Sequence, residues 1–274
     1  MIRADAGPID GGATRRRPLL AIVAQEPVAC LRLAARVTLM ALALLFCLPL
    51  HLLTRRLNGS NLWARLFLGL AARICGARVT HSGPVLHRDV FFVANHLSWI
   101  DICILGGITG TAFVSQDKIR DWPVIGKLAQ FNRTVFVSRE ARLMVSQQIA
   151  ELREALAAHQ PVTLFPEGTT TDGRSLLPFK PPLFAVLLPP PRALRIQPVC
   201  QHFDEAGKDL AWIGVETAPE NAWRVFTRPG TFRVHVEFLD PFDPGDHPDR
   251  KAISAESRRR IAEALGRELG HPVA

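Results

Sequence analysis

From Gly76 onward, short apolar runs alternate with longer stretches whose apolar residues recur with a helical period. The short runs predict strands at 77–81, 90–94, 111–115, 134–137, 162–165, 194–199 and 231–238. The longer stretches predict helices at 100–108, 122–130, 142–159, 183–188 and 255–269. Continuous apolar strands separated by helices are typical of a sheet covered on both faces. We therefore predict an α/β fold with a mixed, largely buried sheet flanked by helices.

The last predicted strand has a different pattern from the others. Its apolar and polar side chains alternate strictly: Phe232, Arg233, Val234, His235, Val236, Glu237 and Phe238. Alternation with a period of two gives a strand one apolar and one polar face. We predict an edge strand with one face in water.

Two apolar stretches precede this region. No residue between Arg36 and Arg55 carries a formal charge, and these eighteen residues are at the lower limit for a helix that spans a bilayer. The second stretch, 62–72, is interrupted by Arg65 and is too short to cross. Arginines lie on both sides of the first stretch, so the positive-inside rule gives no orientation.

We interpret the two stretches as a membrane-associated helical hairpin that enters one leaflet and turns back at Asn58-Gly59-Ser60. A single transmembrane helix and a hairpin buried against the following domain are the two alternatives. The start of the chain is basic and lacks periodicity, which predicts a disordered tail. The predicted organisation is a tail over 1–30, a membrane-anchoring segment over 31–75 and an α/β domain over 76–274.

The amino-acid composition limits the classes of partner that the protein is expected to bind. A net charge of +8 and a pI of about 9.9 suit an anionic membrane surface or phosphate-bearing substrates. Nucleic acid is not expected, because the arginines are scattered and the chain has no zinc-ligand spacing or aromatic RNA-binding motif. The five cysteines form no C-x-x-C pair, and several lie in apolar runs, which predicts buried, reduced thiols in a cytoplasmic domain.

The strand predicted at 90–94 ends at a polar cluster, Asn95-His96-Leu97-Ser98-Trp99-Ile100-Asp101. On one continuous helix, His96 and Asp101 would lie about 140° apart at roughly 100° per residue, so they would not share a face. They meet only if His96 lies in the turn before the helix and Asp101 lies in its first turn. Asp101 would then fix the imidazole tautomer and leave the other ring nitrogen as a general base.

The same cluster also fits a purely structural interpretation. In that case Asn95 or Ser98 caps the helix, His96 is a hydrogen-bonded loop residue, and Asp101 complements the helix dipole. A metal site at His96 and Asp101 has less support, because no second histidine stands at ligand spacing. We expect neither a metal ion nor a bound cofactor.

A second polar element, Phe165-Pro166-Glu167-Gly168-Thr169, follows another predicted strand. The pattern N-H-x-S-x-x-D followed by F-P-E-G-T resembles the glycerophospholipid acyltransferase family, whose bacterial type member is 1-acylglycerol-3-phosphate acyltransferase. The segments 135–139 and 196–199 are similar to the second and fourth motifs of that family. The resemblance covers 90–199, with the four blocks in the family's order.

The resemblance implies roles for individual residues. His96 would be the catalytic base and Asp101 its orienting partner. Arg139 would bind the phosphate or carboxylate of the acceptor through its two-pronged guanidinium. Glu167, Gly168 and Thr169 would bind substrate, with Glu167 on acceptor hydroxyls or on Arg139, and with backbone amides near Gly168 on a phosphate or oxyanion.

Two positions depart from the family pattern. Arg133 stands where many members have glycine, and Thr170 stands where an arginine or lysine often follows. These departures predict a headgroup pocket shaped for a different acceptor.

The resemblance implies an O-acyltransferase that esterifies the free hydroxyl of a lysophospholipid, with acyl-CoA or acyl carrier protein as donor. The first expected acceptor is 1-acylglycerol-3-phosphate, which would give phosphatidic acid, and the alternative is lyso-ornithine lipid. A non-catalytic lipid-binding scaffold is a remoter alternative, which the intact His96 and Asp101 disfavour. The expected location is a bacterial inner membrane, in contact with its lipids, with the catalytic domain facing the cytoplasm.

Overall fold

The computed structural model describes residues 26–59, 61–137, 145–157 and 160–273. The helices are α1 (Pro27–Asn58), α2 (Leu62–Ile74), α3 (Ile100–Thr109), α4 (Ile125–Phe131), α5 (Val145–Ala157), α6 (Gly207–Leu210), α7 (Ala218–Thr227) and α8 (Arg250–Leu269). The strands are β1 (Ala77–Ser82), β2 (Val90–Ala94), β3 (Ala112–Gln116), β4 (Val135–Val137), β5 (Val162–Leu164), β6 (Arg195–Phe203) and β7 (Phe232–Phe238). Each predicted strand coincides with an observed one within a few residues, which confirms the α/β class.

The strands form one seven-stranded sheet in the order β1-β7-β6-β2-β5-β3-β4. The neighbouring strands are parallel except for β6 and β7, so the sheet is mixed, as predicted. β2 is central and wholly buried, because helices cover both faces of the sheet. Val90, Phe92 and Ala94 pack in the apolar layer that includes residues of α2 and α3, and Phe91 and Val93 pack in the layer that includes α8.

The prediction that 231–238 forms an edge strand is wrong. β7 lies between β1 and β6 and pairs with both. Its alternating pattern does describe its two faces: Arg233 is exposed, His235 and Glu237 are half-buried, and the apolar residues are buried. An alternating pattern shows which face of a strand is exposed to water. It does not show whether the strand is at the edge of the sheet, and here the edge position is occupied by β1, which is distant in the sequence.

Some helix boundaries differ from the predictions because of local turn chemistry. The segment predicted as a helix at 183–188 is a 3-10 turn, Pro181–Leu187. α8 begins five residues earlier than predicted, because the Asp249 carboxylate accepts two backbone N–H groups of its first turn. α4 begins three residues later than predicted, after Pro123. The helix predicted at 142–159 is α5, and its two predicted ends lie outside the described residues.

α1 and α2 form the predicted helical hairpin ahead of the α/β domain. The Pro27–Leu57 segment is long and apolar enough to cross a membrane by length and composition, and few of its residues are buried. α1 begins four residues before the predicted boundary, because proline is accommodated in the first turn of a helix. Gly59, at φ +70°, ends α1, whereas Ser60 and residues 1–25 of the predicted tail lie outside the described residues.

Two arginines attach α1 to the α/β domain at opposite ends of the uncharged stretch. Arg36 is 9% exposed and donates to three carbonyls at the C-terminal end of α7, where free carbonyls carry partial negative charge. Arg55 donates to the carbonyl of Phe131, the last residue of α4. Large apolar side chains elsewhere on α1 are exposed: Leu39, Leu42, Leu45, Phe46, Leu53 and Leu57. α1 therefore lies along the domain and presents an apolar face outward.

The cysteines are free thiols, and four of the five are buried. Burial raises the pKa of Cys75 to about 12 and also raises the pKa of Cys103 and Cys200. These side chains are therefore protonated and act as small apolar groups of the core, in agreement with the prediction of buried thiols.

Candidate active site

The candidate site lies at the carboxyl edge of the parallel strands. β2 and β5 run parallel and pair directly, so the loops that follow them leave the sheet at the same edge. The first loop carries His96 and the second carries Glu167, 71 residues further along the chain. Asn95 fixes the first loop, because its side-chain amide donates to the Gln201 carbonyl and accepts the Gln201 N–H. The topology therefore joins the two motifs.

His96 and Asp101 meet in the arrangement that their spacing predicts. His96 lies in the turn before α3, Asp101 lies in its first turn, and Nδ1 is 2.7 Å from Oδ2. The same Oδ2 accepts the backbone N–H groups of Leu97 at 2.6 Å and Ser98 at 3.0 Å. Backbone N–H groups can only donate, so Oδ2 acts as the acceptor in these hydrogen bonds. The imidazole therefore donates to the same oxygen through Nδ1. In the neutral imidazole, Nε2 is then the nitrogen without a proton, and it is the one that can act as a general base.

The surroundings of the dyad leave one atom accessible. The Asp101 side chain is fully buried, whereas the His96 side chain is 18% exposed. The His96 ring stacks on Phe165, with ring centroids 4.1 Å apart and an interplanar angle of 14°. Within the described part of the chain, Nε2 has no hydrogen-bond partner. Nε2 is thus the atom of the dyad that a substrate hydroxyl can reach.

Glu167 is turned into the protein and is 1% exposed. Its Oε1 accepts the backbone N–H of His96 and its Oε2 accepts that of Leu177, both at 2.9 Å. Burial raises the pKa of Glu167 from 4.5 to about 7, and the two amide hydrogen bonds offset part of that rise. Glu167 therefore ties the His96 loop to the segment after F-P-E-G-T. Its contact with acceptor hydroxyls stays a prediction.

Gly168 and Thr169 form the accessible side of the second loop. The Gly168 N–H donates to the Phe165 carbonyl at 3.1 Å, which closes a tight turn, and Gly168 has a φ of +70° that favours glycine. Thr169 is exposed and lines a cavity of about 460 Å³. The Thr171 N–H donates to the His96 carbonyl at 2.8 Å. The two predicted binding residues thus lie on a turn that is attached to the His96 loop.

The structure separates Arg133 from the site. β4 is parallel to β3, so Arg133, which precedes β4, lies at the amino edge of the sheet, opposite to His96. Its φ of +57° is the conformation that the glycine expected at this position would adopt without strain. The interpretation that Arg133 shapes the headgroup pocket is therefore wrong. Arg139 lies outside the described residues, and its contact with the acceptor stays a prediction.

Two residues near the site were missed by the sequence patterns. The backbone N–H of Lys180 donates to the Pro166 carbonyl at 2.9 Å, and this hydrogen bond holds Lys180 beside the F-P-E-G-T turn. Arg258, on α8, donates to the carbonyls of Leu176 and Leu177, the segment that binds Glu167. Lys180 has a local signal, since it is the one charged residue in the apolar, proline-rich stretch 178–184. The sequence around Arg258 contains no such signal, because Arg258 contacts Leu177, which is 81 residues away in the sequence.

The arrangement suits proton abstraction from a substrate. Among the described residues, no serine, threonine or cysteine side chain hydrogen-bonds to the His96 ring, and the Thr171 hydroxyl donates to the backbone carbonyl of His96 instead. The described residues also contain no group of three His, Cys, Asp or Glu side chains that could hold a metal ion. The absence of a metal and of a cofactor stays a prediction.

Comparison with known proteins gives consistent matches. A family model described as Acyltransferase matches residues 77–201. A lyso-ornithine lipid O-acyltransferase from Rhodobacter capsulatus is 34% identical, over 86% of this chain and 90% of that protein. A 1-acyl-sn-glycerol-3-phosphate acyltransferase from Neisseria meningitidis is 31% identical, over 70% of this chain and 75% of that protein. The crystal structure of the 1-acyl-sn-glycerophosphate acyltransferase PlsC from Thermotoga maritima has the same fold, with a TM-score of 0.69 at 18% identity, and covers 92% of this chain and 98% of that one.

Proposed function

The chain belongs to the acyltransferase family and is an O-acyltransferase of lyso-lipids, and from this premise we propose that His96 is its general base. The observation that carries the proposal is the 2.7 Å contact between His96 Nδ1 and Asp101 Oδ2, which leaves Nε2 free on the accessible side. A buried carboxylate that orients an imidazole is the arrangement by which serine hydrolases activate a hydroxyl. Here the hydroxyl belongs to the lyso-lipid.

The proposed reaction needs no acyl-enzyme. His96 Nε2 takes the proton of the acceptor hydroxyl while the hydroxyl oxygen attacks the thioester carbonyl of the donor. The Asp101 carboxylate stabilises the imidazolium that forms. The tetrahedral intermediate then collapses, the carbon–sulfur bond breaks, and Nε2 returns the proton to the leaving thiolate. The products are an ester and a free thiol, and the base is regenerated.

For the acceptor we propose lyso-ornithine lipid first. The Thr170 hydroxyl donates to the carbonyl of Trp212 and so joins two loops, at a position where the family resemblance leads one to expect a cation. A headgroup site that has one cation fewer is better suited to the single carboxylate of an ornithine headgroup than to a phosphate monoester, which carries up to two negative charges. The R. capsulatus relative carries this activity in its name. The second candidate is 1-acylglycerol-3-phosphate, which the N. meningitidis relative supports.

We further propose that the α1–α2 hairpin lies in one leaflet, at the cytoplasmic face of a bacterial inner membrane. Arg36 and Arg55 are 19 residues apart, about 28 Å along a helix, and both bind the α/β domain. A helix attached to one domain at both ends runs along that domain and does not leave it to cross a bilayer. Its exposed leucines then bury in the lipid.

The test is acyl transfer by membranes that contain the wild-type chain or His96→Ala. Lyso-ornithine lipid, lysophosphatidic acid and glycerol 3-phosphate are each paired with acyl-CoA and with acyl-acyl carrier protein. We expect product with lyso-ornithine lipid that falls by about 10²- to 10⁴-fold in His96→Ala, because only the base is lost. His235→Ala is the matched control, since the His235 ring hydrogen-bonds to the hydroxyls of Thr80 and Ser82 and belongs to neither of the two loops that carry the site. Full activity in His96→Ala would refute the mechanism.

A further inference from the structure

Lys180 is a charged residue in an apolar wall. The cavity beside Glu167 is bounded mainly by apolar side chains: Leu177, Pro178, Phe179, Pro181 and Pro182. Lys180 and Thr169 are exposed polar residues of the same lining. Apolar walls with one cation at the rim suit a ligand that has both an apolar chain and an anionic group.

The Lys180 amine lies against the turn that follows β5. A β-carbon built on Gly168 would be 2.7 Å from Nζ, so the missing side chain of Gly168 leaves the space that the amine occupies. Gly168 and Phe165 are the two ends of that hydrogen-bonded turn, and Phe165 stacks on the His96 ring. The amine and the proposed base therefore flank one four-residue turn.

The charge of Lys180 is not neutralised by the described residues. Its amine makes no ion pair or hydrogen bond with any of them. Glu167, the carboxylate in the same cavity wall, already accepts backbone N–H groups on both oxygens. An exposed ammonium beside an open glycine turn is suited to charge-assisted hydrogen bonds with an anion.

We propose that the Lys180 amine, beside the open turn at Gly168 and Thr169, binds the phosphate or carboxylate of a substrate whose chain lies along the apolar wall. The inference rests on the proposed function, because it assigns a charged contact within the same site. The anion is either the headgroup of the acceptor or the pantetheine phosphate of the donor.

The test compares Lys180→Met, which keeps the length and removes the charge, with Lys180→Arg, which keeps the charge. KM and kcat are measured for the acceptor and for the donor separately, with the full-length protein in detergent. We expect Lys180→Met to raise one KM by roughly tenfold or more, with little change in kcat, and Lys180→Arg to recover most of it. A higher acceptor KM assigns the anion to the lyso-lipid, and a higher donor KM assigns it to the donor phosphate. Lys251→Met, an exposed lysine in the first turn of α8, is the control for loss of charge.

Unchanged KM values for both substrates would overturn the proposal. So would a fall in kcat that Lys180→Arg does not recover, because that result marks a structural role for the side chain. Failure of the proposed function is a different outcome, in which the wild-type chain makes no His96-dependent product with any pair of substrates.

Discussion

Glu167→Gln tests how far one buried carboxylate holds the active site together. Glutamine keeps the size of glutamate, but its NH₂ group cannot accept a hydrogen bond from a backbone amide. One of the two N–H groups that Glu167 now binds, from His96 or from Leu177, loses its partner in a buried position. This costs about 1 to 3 kcal/mol of stability. We also expect a large loss of acyl transfer, because the His96 loop is no longer fixed.

The size of the stability effect depends on pH. The pKa of Glu167 is about 7 in the folded protein, above its ordinary value of 4.5. Between these values the folded state binds the proton and the unfolded state does not, so wild-type stability decreases as the pH rises through this window. From pH 5 to pH 8 the decrease amounts to about 2 to 3 kcal/mol. Glutamine does not titrate, so Glu167→Gln lacks this decrease.

The assay is thermal unfolding of both proteins in detergent, followed by tryptophan fluorescence at pH 5 and pH 8. The Tm deficit of Glu167→Gln relative to wild type should be smaller at pH 8 than at pH 5, by roughly 5 to 10 °C for a chain of this size. Glu268→Gln, an exposed glutamate on α8, should follow wild type at both pH values. Equal deficits of Glu167→Gln at both pH values would refute the raised pKa, and full transfer activity would refute the positioning role.

Three further substitutions test separate parts of the structure. Arg258→Gln removes the hydrogen bonds to the Leu177 segment, so kcat should fall several-fold while Arg258→Lys recovers part of it; steady-state kinetics that match wild type would contradict the contact. Leu45→Asp places a charge on the exposed face of α1 and should lower the vesicle-bound fraction in flotation, whereas unchanged binding would locate the anchor elsewhere. Arg133→Gly removes a strained left-handed arginine at the far edge of the sheet, so the ratio of rates with the two acceptors should not change, and a changed ratio would return Arg133 to the site.

Much of the fold was predictable because its signals are local. The continuous apolar run of β2 shows burial on both faces, and the helix after it follows from a polar turn and an acidic first turn. The contact between His96 and Asp101 also agrees with local geometry, since a five-residue spacing excludes one continuous helix and is satisfied by a turn followed by a first helical turn. The position of β7 was not predictable, because it depends on pairing with β1, which no local pattern encodes.

The sequence by itself determined the order of the elements, the dyad and the two loops that carry the site. Only the tertiary structure decided which backbone groups those loops bind. The sequence pattern predicts contacts of Glu167 with acceptor hydroxyls or with Arg139, whereas its hydrogen bonds to the backbone N–H groups of His96 and Leu177 are seen only in the structure, where the parallel pairing of β2 and β5 brings the two loops to one edge. Arg258 reaches the same segment from the last helix. Local patterns report burial and turn chemistry, whereas contacts between distant residues exist only after the sheet has set their distance and direction.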